Sequence, residues 1–215
     1  KSPIKMIVIR TRHDIQTAYL YAYSEELIKE AENRGFKVTK IEGADISEAT
    51  LRSRIKNRKP KFIFFNGHGS DNALFNNQKK EFITAKSADV FKDTVAYTIA
   101  CSCLGGLGAA AVEKGCNAFI GFRKPFWIAR HHKYESRPLE DKVAKPIIEC
   151  SNVVVKSLIK GNTVDESIRK SHEKAADNIL RLIYSKEPLA HVSLQALFVN
   201  DLALDFKAEG SAKKV

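Results

Sequence analysis

Five short runs of β-branched and aromatic residues constrain this chain most: KMIVIRT (5–11), FKVTKI (36–41), KFIFFN (61–66), VAYTIA (95–100) and NAFIGF (117–122). Runs of this length and composition read as strands. Several of the gaps between them read as helices. Residues 14–33 carry Ile15, Ala18, Tyr19, Ala22, Leu27, Ile28 and Ala31 at helical spacing, and Gly35 follows as a stop. Asp45-Ile46-Ser47-Glu48 has the form of a capping box opening a second helix, and the small apolar stretch Leu104–Lys114 stops at Gly115. Strands alternating with helices predict an α/β domain with a mostly parallel sheet and helices on both faces. LFNNQKKEFI (74–83) breaks the rhythm. Two apolar ends around a polar middle predict a small inserted β-hairpin.

Beyond residue 137 the pattern turns helical. Leu139, Val143, Ile147, Val154, Leu158 and Ile159 form one apolar stripe, with Pro146 starting or kinking the helix and Gly161 ending it. Thr163-Val164-Asp165-Glu166 signals another helix, running to about Tyr184 on Ile168, Ala175, Ile179 and Leu182. LQALFVNDLALDF (194–206) reads as a final strand or hairpin, and the tail GSAKKV as frayed. With 215 residues, no internal repeat and no composition shift, residues 1–215 are expected to form a single domain. Its parts are a core sheet (1–122), a loop (123–137) and C-terminal helices with the last strand (138–206).

Lys and Arg outnumber Asp and Glu by 36 to 25, a formal charge of +11. Charge speaks to partners and not to fold. It permits nucleic acid, acidic proteins or anionic surfaces, and a solvated basic surface explains it as well. The basic run RSRIKNRKPK (52–61) joins a helix end to the start of KFIFFN, so any docking it does lies away from the chemistry. No stretch approaches the ~20 apolar residues of a membrane span. Lys1-Ser2-Pro3-Ile4 lacks the long apolar stretch of a secretory signal, and the missing initiating Met suggests a processed or excised piece. Four cysteines, at 101, 103, 116 and 150, are no disulfide framework, so a reducing, cytoplasmic setting is expected.

Ligands of an open parallel sheet bind beyond the carboxyl ends of its strands. KFIFFN runs into Gly67-His68-Gly69-Ser70, and VAYTIA into Cys101-Ser102-Cys103-Leu104-Gly105-Gly106. A histidine and a cysteine therefore leave the sheet at one edge. If the two strands are neighbours, their ends lie roughly 5 Å apart. Glycines on both sides of His68 let the backbone turn sharply. Cys101 stands where a strand gives way to a helix, where unpaired N–H groups and the helix dipole favour a thiolate. These positions suggest Cys101 as nucleophile, His68 as general acid/base, and the N–H groups of Gly69 and Cys101 as an oxyanion hole.

The segments FIFFNGHGS (62–70) and VAYTIACSC (95–103) resemble the two signatures of clan CD cysteine peptidases: caspases, legumains, gingipains, separases and CHAT-domain peptidases. One signature is an apolar strand ending in His-Gly, the other an apolar strand ending in Ala-Cys or Ser-Cys. GGLGAAAVEKGCNAFIGF (105–122) is similar to the helix and strand after the nucleophile in the gingipain-like and CHAT branch. LFVNDLALDF (197–206) is similar to their closing Gly-Asp-Pro-x-Leu segment, with Asn200 and Leu202 where Gly and Pro usually stand. Cys103 departs from the family's Ser, Gly, Ala or Thr. The resemblance implies a caspase-like three-layer sandwich and a cysteine endopeptidase acting on proteins or peptides. It is compatible with a regulatory protein partner and implies no cofactor.

In caspases, arginines near the ends of the first and fifth runs hold an acidic residue before the cut, and Arg12 and Arg123 look like counterparts. Asp14, Asp45 and Asp71 also lie near this edge, and an acid there favours cleavage after Arg or Lys, as in gingipains and separases. The basic surroundings favour an acidic or uncharged residue before the cut. RKPFWIARHHKY (123–134), with His131 and His132, is either a solvated loop or a wall of the groove with Trp127 as its main contact.

Cys116 and Cys150 read as small buried hydrophobes, and His13, His172 and His191 as structural. Cys101, Cys103 and His68 are three metal-type ligands without an evident fourth, so no metal is expected. Gly105-Gly106-Leu107-Gly108 lacks the full phosphate-loop pattern, which disfavours a flavodoxin-like ligand-binding module. Retention of both His68 and Cys101 disfavours an inactive caspase-like scaffold. Neither nucleic acid nor membrane is an expected partner.

Overall fold

The computed structural model describes residues 3–209 and 214–215. Residues 210–213, most of the tail expected to fray, lie outside the described residues. In order come β1 (Lys5–Arg10), α1 (Ile15–Asn33), β2 (Lys37–Glu42), α2 (Glu48–Arg58) and β3 (Phe62–Asn66). Then follow β4 (Ala73–Phe75), β5 (Glu81–Thr84), β6 (Val95–Ile99), α3 (Leu107–Glu113) and β7 (Ala118–Phe122). The chain closes with α4 (Lys145–Ile159), α5 (Val164–Ile183), α6 (Ala190–Ala203) and β8 (Leu204–Ala208).

Six strands form one sheet in the order β2–β1–β3–β6–β7–β8. All pairs are parallel except β7–β8. Side chains alternate across a strand, and here both faces are covered. Met6, Val8, Phe62, Phe64, Tyr97 and Ile120 pack under α1, α4 and α5 with Leu20, Leu27, Ile148 and Leu158. Ile7, Ile9, Ile63, Phe65, Ala96 and Phe119 face the other way, onto Leu51, Phe82, Ile83, Leu104 and Leu107. Burial on both faces explains why these strands read as nearly continuous apolar runs. Each such side chain contributes roughly 1.5–3 kcal/mol over leaving it exposed. The hairpin β4–β5 stands apart as its own two-stranded sheet, where the polar interruption of 74–83 placed it.

Three expectations are corrected. Residues 194–203 are helical, not a strand or hairpin. Only Leu204–Ala208 extends, and it pairs antiparallel with β7, so the core sheet is not confined to residues 1–122. The cap of α2 is Ser47, whose side chain accepts the Thr50 N–H, while Asp45 sits in a preceding single turn. The stripe after residue 137 is not one helix. Leu139 lies in a separate turn at Pro138–Glu140, is 60% exposed, and α4 begins only at Lys145 with Pro146 in its first turn.

Candidate active site

Adjacent strands bring the candidate pair together. β3 and β6 are neighbours, with Asn66 opposite Ile99. His68 and Cys101 each follow two residues later, so they leave the sheet level with each other. Period-two alternation sends both toward the α1 face. Asn66, one alternation earlier, already donates its side-chain amide to the Leu20 carbonyl of α1. His68 meets Asp14, the N-cap residue of α1, and Cys101 lines a cleft together with Gln16 of the same helix.

The glycines around His68 are there for close approach. A Cβ on Gly67 would sit 2.5 Å from Thr11 Oγ1 and 2.8 Å from the Phe65 ring. One on Gly69 would meet the Ala100 Cβ at 3.0 Å and the Ala73 carbonyl at 3.1 Å. The backbone after β3 thus passes close to the residue that follows β1 and to the loop bearing Cys101, where a side chain on Gly67 would collide and one on Gly69 would be tight.

The Cys101 loop differs from the expectation. The helix begins at Leu107, and the turn 101–106 separates it from the cysteine. A dipole effect confined to the first turn does not reach that far. The turn is held from three sides. Ser102, in left-handed backbone at φ 56°, donates to the Lys124 carbonyl at 3.2 Å, and Leu104 N–H donates to Phe122 at 3.3 Å. Asp71 accepts Gly106 N–H on its carboxylate at 2.9 Å and Leu107 N–H on its carbonyl at 2.7 Å. Asp71 is therefore engaged in holding the turn and does not line the cleft beside Cys101.

Burial separates the two neighbouring thiols. Cys103 is fully buried among core residues, with Thr98 Oγ1 2.9 Å from its sulfur. Desolvation pushes its thiol up to about 12, although the contact with Thr98 and nearby backbone groups opposes this. Cys101 is only partly buried. The N–H groups of Gly69 and Cys101, the expected oxyanion donors, have no acceptor among the described residues.

Asp14, read from the sequence only as an acid near this edge, is the partner of His68. His68 Nε2 donates to its Oδ2 at 2.5 Å. The other oxygen, Oδ1, accepts the Thr17 N–H at 2.8 Å and the Thr17 hydroxyl at 2.9 Å. Burial alone would raise the carboxyl, but the Thr17 N–H, His68 and the Thr17 hydroxyl outweigh it and hold it at about 2. His13 was expected to be structural. It packs edge-on to His68 with ring centroids 5.3 Å apart. Burial lowers its pKa, the Asp14 charge opposes, and His68 and Lys79 add to the lowering. The one available sequence signal was the Asp14-x-x-Thr17 cap at the foot of α1.

A cleft of about 400 Å³ opens beside Cys101, walled by Gln16, Phe126, Trp127, Ile128 and Ala196. Trp127 is 52% exposed. Its backbone is fixed on both sides by Asn200, which accepts the Trp127 N–H and donates to the Trp127 carbonyl, each at 2.8 Å. Asn200 is the position read as a departure from a Gly. Arg123 is paired with Asp205 at the surface. Arg12 is exposed, with its guanidinium 5.3 Å from the Tyr21 ring centroid and its N–H donated to Asn77. Asp45 is exposed beyond β2. His131 stacks on His132 and gives its N–H to the buried Asp141, in a separate hollow lined by α6 residues.

No protein-family model and no curated protein matches this sequence. Solved structures match the fold. The crystal structure of the Arg-specific cysteine proteinase gingipain R (RgpB) aligns at TM-score 0.57 with 12% identity, covering 93% of this chain and 45% of that one. The complex of Porphyromonas gingivalis RgpB pro- and mature domains aligns at TM-score 0.53 with 12% identity, covering 79% and 43%. The chain spans less than half the length of these two structures. Its mostly parallel sheet, flanked by helices on both faces, is the caspase-like fold of these cysteine proteinases.

Proposed function

We propose that the chain is a cysteine endopeptidase domain. The observation that carries this reading is the convergence of Asp14, His68 and Cys101 on one face of one sheet edge, beside a cleft. Cys101 gives its thiol proton to His68 Nδ1, its Sγ attacks the carbonyl carbon of the scissile bond, and the oxyanion settles on the N–H groups of Gly69 and Cys101. Asp14 fixes Nε2 of His68, which leaves Nδ1 to serve the reaction. His68 protonates the departing amine, the C–N bond breaks, and water then hydrolyses the thioester. In this reading no cofactor takes part. The substrate is a protein or peptide, and the complex of RgpB pro- and mature domains supports a regulatory protein partner.

Labelling with a peptidyl acyloxymethyl ketone, followed by mass spectrometry, tests the assignment. The expected product is a thioether on Cys101, lost in Cys101→Ala and unchanged in Cys103→Ala. No adduct, or an adduct on another cysteine, defeats the reading.

A further inference from the structure

His13, Asp14 and His68 each turn one ligand-type atom into a shared space, all within 4.8 Å of one another. His13 Nε2 lies 3.6 Å and His68 Nε2 2.5 Å from the same Asp14 oxygen, Oδ2. The His13 side chain is only 8% exposed, and neither ring nitrogen has a hydrogen-bond partner among the described residues. The Asn77 side chain, which also approaches this ring, has its oxygen engaged by the Arg12 N–H. A buried polar group left unpaired is destabilising. A bound cation that takes the lone pair removes that penalty. The carboxylate is already oriented for the task, because Thr17 occupies Oδ1 and leaves Oδ2 facing the two rings.

The donor set selects the ion. Two imidazoles and one carboxylate suit zinc, whereas calcium and magnesium demand oxygen. Zinc bonds of about 2.0–2.2 Å place neighbouring ligand atoms roughly 3.3 Å apart in a tetrahedron. The His13–Asp14 separation is close to that already, and the His68–Asp14 bond has to open by less than about 1 Å. The fourth position stays open to water or a ligand.

We propose that His13 Nε2, Asp14 Oδ2 and His68 Nε2 form a zinc site whose occupation switches off the His68–Cys101 pair. When zinc binds His68 Nε2, the proton there is lost to solvent or passes to Nδ1, and a nitrogen–metal bond takes its place. The ring's one remaining proton then sits on Nδ1, so Nδ1 has no lone pair with which to take the thiol proton of Cys101. The metal site stands on geometry alone. The inhibition rests on the peptidase reading.

The full chain, freed of metal with a chelator, is titrated with zinc chloride by calorimetry. Histidine ring resonances are followed by NMR in the same protein. One zinc per chain is expected, shifting the rings of His13 and His68 together. His13→Ala and His13→Gln should each weaken binding by about tenfold or more, and Cys101→Ala should bind as the parent does. No binding, undiminished binding in both His13 variants, loss of binding in Cys101→Ala, or ring shifts that omit His13 each overturn the site. The NMR result needs no variant, so a substitution that unfolds the chain does not block the test. In a peptide-hydrolysis assay, zinc should stop the parent protein. Hydrolysis untouched by saturating zinc overturns the switch. Zinc binding in a protein that hydrolyses nothing overturns the peptidase reading and leaves the metal site in place.

Discussion

Reactivity among the four thiols is a matter of burial. Cys103, Cys116 and Cys150 are buried, and desolvation pushes each up to about 12. A raised thiol keeps its proton at every pH below that value, and the thiolate is the reactive form. Near pH 8 these three therefore stay protonated. Iodoacetamide applied to the folded protein at that pH is expected to label Cys101 first, as peptide mapping would show. Faster labelling of Cys103 would reverse the assignment of the nucleophile. The bond between Asp14 and His68 yields a second expectation. His68→Ala should slow amide hydrolysis by about 10²–10⁴-fold and spare activated esters, whose leaving groups need no proton. Asp14→Asn keeps a competent cap on α1 but removes the charge that holds the imidazole. It should show the same amide-over-ester bias by a smaller factor, with a small fall in melting temperature, because the depressed carboxyl of Asp14 stabilises the fold. Equal losses on both substrates would make these residues structural. His68 and Cys101 were legible in sequence because each ends an apolar run in a turn. Asp14 was not, because its partner lies 54 residues away and only the β1–β3 pairing brings them together.

At the level of elements, one contact links the C-terminal helices to the cleft. Asn200 of α6 is buried and holds both backbone groups of Trp127. Asn200→Ala leaves these groups unpaired, at a cost of about 1–3 kcal/mol, and frees the segment after β7. It is expected to lower both the melting temperature and kcat/KM for peptides. Trp127→Ala, at a half-exposed indole, should lower kcat/KM with little effect on melting. Full peptide turnover in Asn200→Ala would separate this loop from the site. The same helix shows why the fold was legible in one half and less so in the other. Strands β1, β3, β6 and β7 announce themselves because both their faces are buried, so composition alone marks them. In α6, Phe198 is 50% and Leu202 81% exposed, so apolar residues surround the helix and erase its period. Without that period, LQALFVNDLALDF reads only as an apolar run, which a strand and a buried helix share. The Cys101 turn was misjudged for a related reason. Its glycines pack against Asp71 and Asn72 rather than open a helix, and that contact lies 35 residues away in sequence.

Across the whole molecule, the sheet sorts charge from chemistry. The run 52–61 covers the end of α2 and the entry to β3, at the edge opposite His68 and Cys101. Its Arg52 is paired with Glu48 and Asp89. The net charge of +11 therefore does not by itself describe the groove. Under the peptidase reading, what the cleft selects follows instead from its own walls: Phe126, Trp127, Ile128 and Ala196 are apolar, and Gln16 is neutral. Neither arginine proposed to grip an acid lines this hollow. Arg123 is already paired with Asp205, and Arg12 lies over Tyr21. Nor does a carboxylate line it, since Asp14 is bound to His68 and Asp71 to Gly106. Burying a charged side chain without a partner is costly, while an apolar one gains roughly 1.5–3 kcal/mol on full burial. A peptide library varied at the residue before the cut is therefore expected to favour uncharged, apolar side chains over Asp, Glu, Lys and Arg by tenfold or more, about 1.4 kcal/mol. Trp127→Ala should flatten that preference, because the indole supplies the exposed wall. Strict cleavage after Arg or Lys would instead mean that substrate displaces His68 from Asp14 and uses that carboxylate as the floor of its pocket.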